Sequence, residues 1–258
     1  MTAIHSGRST LRRDPHTVGY YLLMGGIFLL VTRLWLSHGQ YLLTAWFPSL
    51  YEGLTPINGV MTGAFLTLML LCALLSLVRP RTYPEATTIL LVGGTTVGLM
   101  VPLTFVREAP LRSAGALLFV GLIIGLLLRL HPQRDSVLPS FDGAMSTPLV
   151  GLTLFLLIPF VWITVDMQWA QITRDNAVAE QWFYGQFAVY LTTCVVCCIL
   201  ATFDEGIRPI AASIAVYLVS VLGLVSMVYP NALHSLGTTG GALLLLWSIA
   251  LGALLLAE

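Results

Sequence analysis

The sequence predicts an all-α fold, a polytopic membrane helix bundle of eight transmembrane helices that reads as two parallel four-helix repeats. Three observations carry this: a scarcity of charge, eight apolar runs of bilayer length, and sharp polar punctuation between them. Only 9% of the 258 residues are charged and 57% are hydrophobic, with a mean hydropathy of +0.88. A soluble domain carries about 25% charged residues. So little charge cannot cover a water-exposed surface of this size, whereas a bilayer accepts apolar side chains on the outside of a fold.

About 20 apolar residues are needed to cross roughly 30 Å of hydrocarbon. Runs of that order lie near Val18–Ser37, Ile57–Val78, Ala86–Val106, Leu111–Leu130, Leu149–Val165, Phe183–Phe203, Ile207–Tyr229 and Thr238–Ala257. The fifth is the shortest and contains Pro159. Between them, Arg79-Pro80-Arg81, Arg107-Glu108-Ala109-Pro110, His131-Pro132-Gln133-Arg134-Asp135 and Asp204-Glu205-Gly206 combine charge with Pro or Gly. Such clusters are turns. The implied organisation is a cytoplasmic N-terminal tail over 1–17, a first four-helix unit over 18–131, a cytoplasmic linker over 132–148 and a second four-helix unit over 149–258.

Orientation follows from the loop arginines. With the N-terminus inside, the inner segments hold Arg8, Arg12, Arg13, Arg79, Arg81, Arg134 and Arg208, and the outer loops hold Arg107, Arg112 and Arg174. Both termini are therefore expected in the cytoplasm, in a multi-pass cell (inner or plasma) membrane protein. The polar start MTAIHSGRSTLRRDPH precedes a run of full span length with no cleavage site, so it reads as a retained tail.

The halves correspond at an offset of about 125 residues. Each has one long outer loop after its first span, rich in Trp and Tyr (Tyr41, Trp46 and Tyr51; Trp169, Trp182 and Tyr184), and the fourth and eighth spans share Gly-Ala-Leu-Leu at Gly115 and Gly241. Tandem duplication of a unit with an even number of spans gives two halves of like orientation, related by an axis along the membrane normal. Chance spacing of segments of similar length is the alternative. The pairs Gly59/Gly63, Gly94/Gly98, Gly121/Gly125 and Gly237/Gly241 bring helix backbones close and read as packing positions.

Chemistry is read mainly by exclusion. All twelve basic residues are Arg, which excludes a Lys Schiff base or a P-loop lysine, and no basic stretch suited to nucleic acid occurs. Cys72, Cys194, Cys197 and Cys198 lie inside apolar runs, away from the water that a reactive thiolate needs. The histidines sit in tails and at span ends, with no haem, zinc or other metal spacing, so no cofactor is expected, and His234 reads as solvated. The weak candidates for substrate contact are Arg33, near the outer end of the first span; Asn58, at the start of the second; Asp166, closing the fifth; and Glu180, in the polar outer loop. Arg33 also reads as a snorkelling anchor, with Asp166 as a prospective ion-pair partner. Asn58 reads as a bond between helices or as a cap of its own helix, and the outer loop as an interfacial helix capped by Asp175 or Asn176.

Three function classes remain. A small transporter for a neutral or lipid-like solute suits the repeat and the near absence of charge inside the spans, with interrupted helices near Pro102 and Pro159 as the places to look. A non-catalytic subunit or scaffold of a larger membrane complex suits the short loops and glycine faces. An intramembrane enzyme acting on lipid lacks a nucleophile–base or metal set, and an enzyme is not expected. The expected partners are the lipid bilayer and, on the glycine faces, a second copy or a membrane-complex partner.

Overall fold

A computed structural model describes residues 15–45, 56–106, 109–140, 146–180 and 182–257. Eight helices long and apolar enough to cross a membrane account for most of them: α1 Pro15–His38, α2 Pro56–Val78, α3 Pro84–Thr104, α4 Pro110–Leu130, α5 Thr147–Thr173, α6 Phe183–Phe203, α7 Arg208–Val228 and α8 Gly237–Ala257. Six of them open on a proline at or beside the first residue: Pro15, Pro56, Pro84, Pro110, Pro148 and Pro209. Proline fits there because the first-turn N–H has no intrahelical partner to lose. The N-terminal tail before residue 15, Trp46 and Tyr51 of the first outer loop, and Arg107 and Glu108 lie outside the described residues.

Two expectations need correction. The fifth span is the longest helix, 27 residues, because it passes through Asp166 and continues to Thr173. Its extra turns are held from outside: Gln171 donates to the Ala179 carbonyl at 2.8 Å and accepts the Gly185 N–H at 3.0 Å. Neither proline interrupts its helix. Pro159 lies within α5, and Pro102 falls in the last turn of α3.

Contacts define two rings. In the first half α1 packs on α2, α2 on α3, α3 on α4 and α4 back on α1; in the second, α5, α6, α7 and α8 close in the same order. The rings meet through α2 and α3 against α6, α2 against α7, and α3 against α5. In the central stretch of α6, 72% of residues are buried, against 11% in α1 and α4, so the inner helices form the core and the outer ones face the surroundings. One end of the bundle, here the terminal end, carries both ends of the described chain and the α2–α3, α4–α5 and α6–α7 connections. The opposite, distal end carries the rest.

A few contacts recur between the rings at an offset of 125. A Cβ added to Gly98 on α3 would strike Val120 on α4, and one added to Gly223 on α7 would strike Leu245 on α8. Phe65 of α2 reaches Gly93 of α3, while Tyr190 of α6 donates its hydroxyl to the Leu218 carbonyl of α7 at 2.7 Å. The same offset pairs Pro84 with Pro209 at the helix starts, and Cys72 with Cys197 in the buried core. Where α2 and α6 cross, counterparts touch: Asn58 Nδ2 donates to the Phe183 carbonyl at 2.9 Å, across a separation of 125. This register sets Gly115 against Gly240 rather than Gly241, so the shared Gly-Ala-Leu-Leu run falls one residue out of step.

The turn at Asp204 shows how a connection is fastened. Its carboxylate, 6% exposed, accepts the N–H of Gly206 at 2.9 Å, that of Ile207 at 3.3 Å, and that of Ser140 at 2.8 Å. The segment leading out of the first half is thereby tied to the second.

Candidate functional site

The inner stripe of α5 positions an uncharged polar ladder. Residues 11 and 18 apart return to nearly the same helical face at 3.6 residues per turn. Thr153, Thr164 and Gln171 therefore share one line, with Gln168 beside it. Near the terminal end Thr153 and Thr202 of α6 are joined hydroxyl to hydroxyl at 2.7 Å. Further along α6, Thr193 meets Thr96 of α3 at 3.1 Å. Towards the distal end Gln168 Nε2 reaches the Met100 carbonyl at 3.3 Å and Thr104 Oγ1 at 3.4 Å. Trp182, held at φ 59° before α6, donates its indole N–H to the same Thr104 hydroxyl at 3.1 Å. Its ring covers Gly185, where any Cβ would collide with the indole.

Two buried atoms of this ladder, Thr164 Oγ1 and Gln168 Oε1, have no hydrogen-bond partner among the described residues. A buried polar group left without a partner costs about 1–3 kcal/mol, so two of them on one seam call for an explanation.

A second polar cluster lies at the distal end. Asn58 is 1% exposed, and its Oδ1 sits 2.7 Å from His234 Nδ1. Because Asn58 Nδ2 is spent on Phe183, Oδ1 must accept, which assigns the His234 proton to Nδ1 and leaves Nε2 with a lone pair. That Nε2 is buried and unpartnered. The ring stacks on Phe187 at 4.9 Å and meets Tyr184 edge-on at 5.4 Å. Burial pushes its pKa down to about 4, so it is neutral at pH 7. The expectation of a solvated His234 is thus overturned. Its side chain is folded onto α2 and α6 from a backbone in the left-handed region, φ 65°.

Of the four sequence candidates, only Asn58 lies in the interior, where it bonds between helices. Arg33, Asp166 and Glu180 are exposed, and no ion pair joins Arg33 to Asp166. The loop between α5 and α6 does contain a capped helix, but of a single turn, Ala177–Glu180, with Asn176 Oδ1 accepting the Ala179 N–H at 3.0 Å. Arg174 lies over the Tyr184 ring at 5.4 Å and donates to its hydroxyl at 3.2 Å. Thr164, Gln168 and His234 are the additions that sequence reading missed. The available signal was uncharged polar residues recurring on one face of α5, which a search for intramembrane charge passes over. Among the described residues no group of three or more His, Cys, Asp or Glu is placed to hold a metal ion.

No family model, curated protein or solved structure matches this chain.

The site's chemistry is that of neutral hydrogen bonding. The ladder offers hydroxyls and amides in a low-dielectric seam, where such bonds are strong and an unsatisfied group is costly.

Proposed function

We propose that this membrane protein is a small permease for an uncharged, hydrogen-bonding solute, which passes along the seam between α3, α5 and α6. The observation that carries this reading is the ladder with two orphaned atoms, Thr164 Oγ1 and Gln168 Oε1. A polar solute in the seam supplies their missing partners, and the neutrality of the ladder suits an uncharged cargo. The element placed to move is α5, with only 22% of its central stretch buried although it contacts α3, α6 and α8.

The recurring contacts support two parallel four-helix units, over 18–131 and 149–258. Halves that repeat one another about an axis along the membrane normal are a frame in which one unit rocks against the other. The loop arginines support both termini on the cytoplasmic side of a cell membrane.

The test is flux in proteoliposomes across a panel of polyols, amides and urea. Thr164→Val keeps the side-chain shape and removes the orphaned hydroxyl. Flux should fall at least several-fold while stability holds or rises by about 1 kcal/mol. Arg33→Gln should retain full flux. Flux no greater than in protein-free vesicles for every solute would sink the reading, as would an unchanged rate in Thr164→Val.

A second reading, a non-catalytic subunit, is favoured by α4, where Gly115, Gly121 and Gly125 have no neighbour within 4 Å of an added Cβ. Such an open face suits another helix. Purification as a lone monomer that still moves solute decides against it.

A further inference from the structure

At the terminal end, the first turn of α1, the last turn of α4 and the helical turn Arg134–Val137 enclose a recess of about 450 Å³. That lies within the range of small-ligand sites. Its walls carry His16, Thr17, Arg129, Arg134, Asp135 and Ser136. Arg129 is exposed and has no partner among the described residues. Among the described residues Arg134 pairs with its neighbour Asp135, at 3.4 Å, with the two side chains 69% and 93% exposed. An ion pair so open to water holds its partners weakly, which leaves both guanidinium groups available to a ligand.

The floor is built independently of any occupant. His131, 5% exposed, accepts the Gln133 N–H on Nδ1 at 3.0 Å and lies 3.3 Å from Thr87 Oγ1 through Nε2. Both ring nitrogens are thus committed to the protein, and burial lowers the pKa, which keeps the ring neutral. Thr87 donates onward to Ser76 Oγ at 3.0 Å, and the Tyr20 ring stands edge-on to the imidazole at 5.0 Å. Side chains of α1, α2 and α3 therefore fix the turn from which Arg134 projects, and His131 acts as a positioning residue.

We propose that this recess is a phosphate site that seats the headgroup of an anionic membrane lipid. Two guanidinium groups five residues apart offer planar forks matched to phosphate oxygens. His16 and Thr17 of the first turn of α1 lie at the same rim. Two arginines against one aspartate leave the lining cationic, and basic pockets between transmembrane helices at the water boundary take lipid headgroups. A lipid is favoured over a free anion by what adjoins the recess. Leu130 lines it, and Val18, Leu22, Leu122 and Leu126 are exposed along α1 and α4, an apolar path for acyl chains.

The purified protein in detergent is titrated with phosphatidylglycerol, phosphatidylcholine or inorganic phosphate, with retained lipid counted by native mass spectrometry and unfolding followed by temperature. Phosphatidylglycerol should be retained about tenfold more tightly than phosphatidylcholine. The double variant Arg129→Gln/Arg134→Gln should remove that preference. Ser136→Glu, a surface change that adds a negative charge to the recess, should remove it independently. Arg79→Gln, an exposed arginine at the same end but outside the recess, should leave it intact. Equal retention of the two lipids, or a preference that survives both recess variants, would overturn the proposal. Inorganic phosphate giving the same stabilisation at equal concentration would overturn the lipid as the source.

Discussion

Replacing Gly241 by valine should destabilise the bundle by about 2–3 kcal/mol, the scale of an overpacked core. The same change at Gly121 or Gly125 should move stability by less than about 0.5 kcal/mol, as at an open surface. By spacing alone these positions are alike. In the fold they are opposites. A Cβ on Gly241 would lie 2.6 Å from the Gly223 carbonyl oxygen and 2.7 Å from Met227 Cγ, and one on Gly223 would lie 2.9 Å from the Gly241 carbonyl. Those oxygens are backbone, so α7 and α8 can relieve the clash only by separating, with loss of contact along both helices. At Gly121 and Gly125 an added Cβ meets nothing within 4 Å, and valine is the better helix former there. Denaturant unfolding in micelles measures the difference. Equal effects at Gly241 and Gly121 would contradict the α7–α8 packing described.

Asn58→Leu should cost about 1–3 kcal/mol, because it leaves the buried His234 Nδ1–H without its acceptor and takes the side-chain donor from the Phe183 carbonyl, which keeps its bond within α6. His234 should also make stability depend on pH. Burial holds it near 4 in the folded protein, against an ordinary value of 6.5. Between those limits the unfolded chain binds the extra proton and the folded one does not. Stability is therefore complete above about pH 6.5, falls as the pH drops towards 4, and levels off below, by about 3 kcal/mol at most. Phe187 and Tyr184 face the ring, and Arg174 lies beyond Tyr184. His234→Asn, which tolerates the left-handed backbone, should flatten most of the slope. His131, shifted the same way, leaves a remainder. A slope unchanged in His234→Asn would remove His234 as its origin.

The helices were legible because each is a local statement: an apolar run, a proline where the first turn begins, a charged turn beyond the last. Prolines 56, 84, 110 and 209 mark four starts that hydropathy alone also locates. The reach of α5 was not legible, since Asp166, Gln168 and Gln171 read as a polar loop. What keeps them helical is the bonding of Gln171 to Ala179 and Gly185, beyond the helix itself. His234 was misread for the same reason. Its loop is polar in composition, while its partners Phe187 and Asn58 lie 47 and 176 positions away. Asn58 was legible as a structural amide, a bond between helices or a cap of its own, and its bond to the Phe183 carbonyl settles which. Spacing alone suggested an offset of about 125, and Gly98 with Val120 and Gly223 with Leu245 make like contacts at an offset of 125.

The hydrogen bond from Asn58 to Phe183 has a consequence for how two such units could have parted company. In a symmetric pair of identical subunits each bond across the axis is made twice, once in each direction. Here the return bond cannot exist, because position 183 carries a phenylalanine, with no side-chain donor to send back. A duplicated unit carried in one chain would let each copy of a position change alone. The amide stands at 58 and not at 183, so the buried pair of Asn58 and His234 has no counterpart at the position 125 residues on.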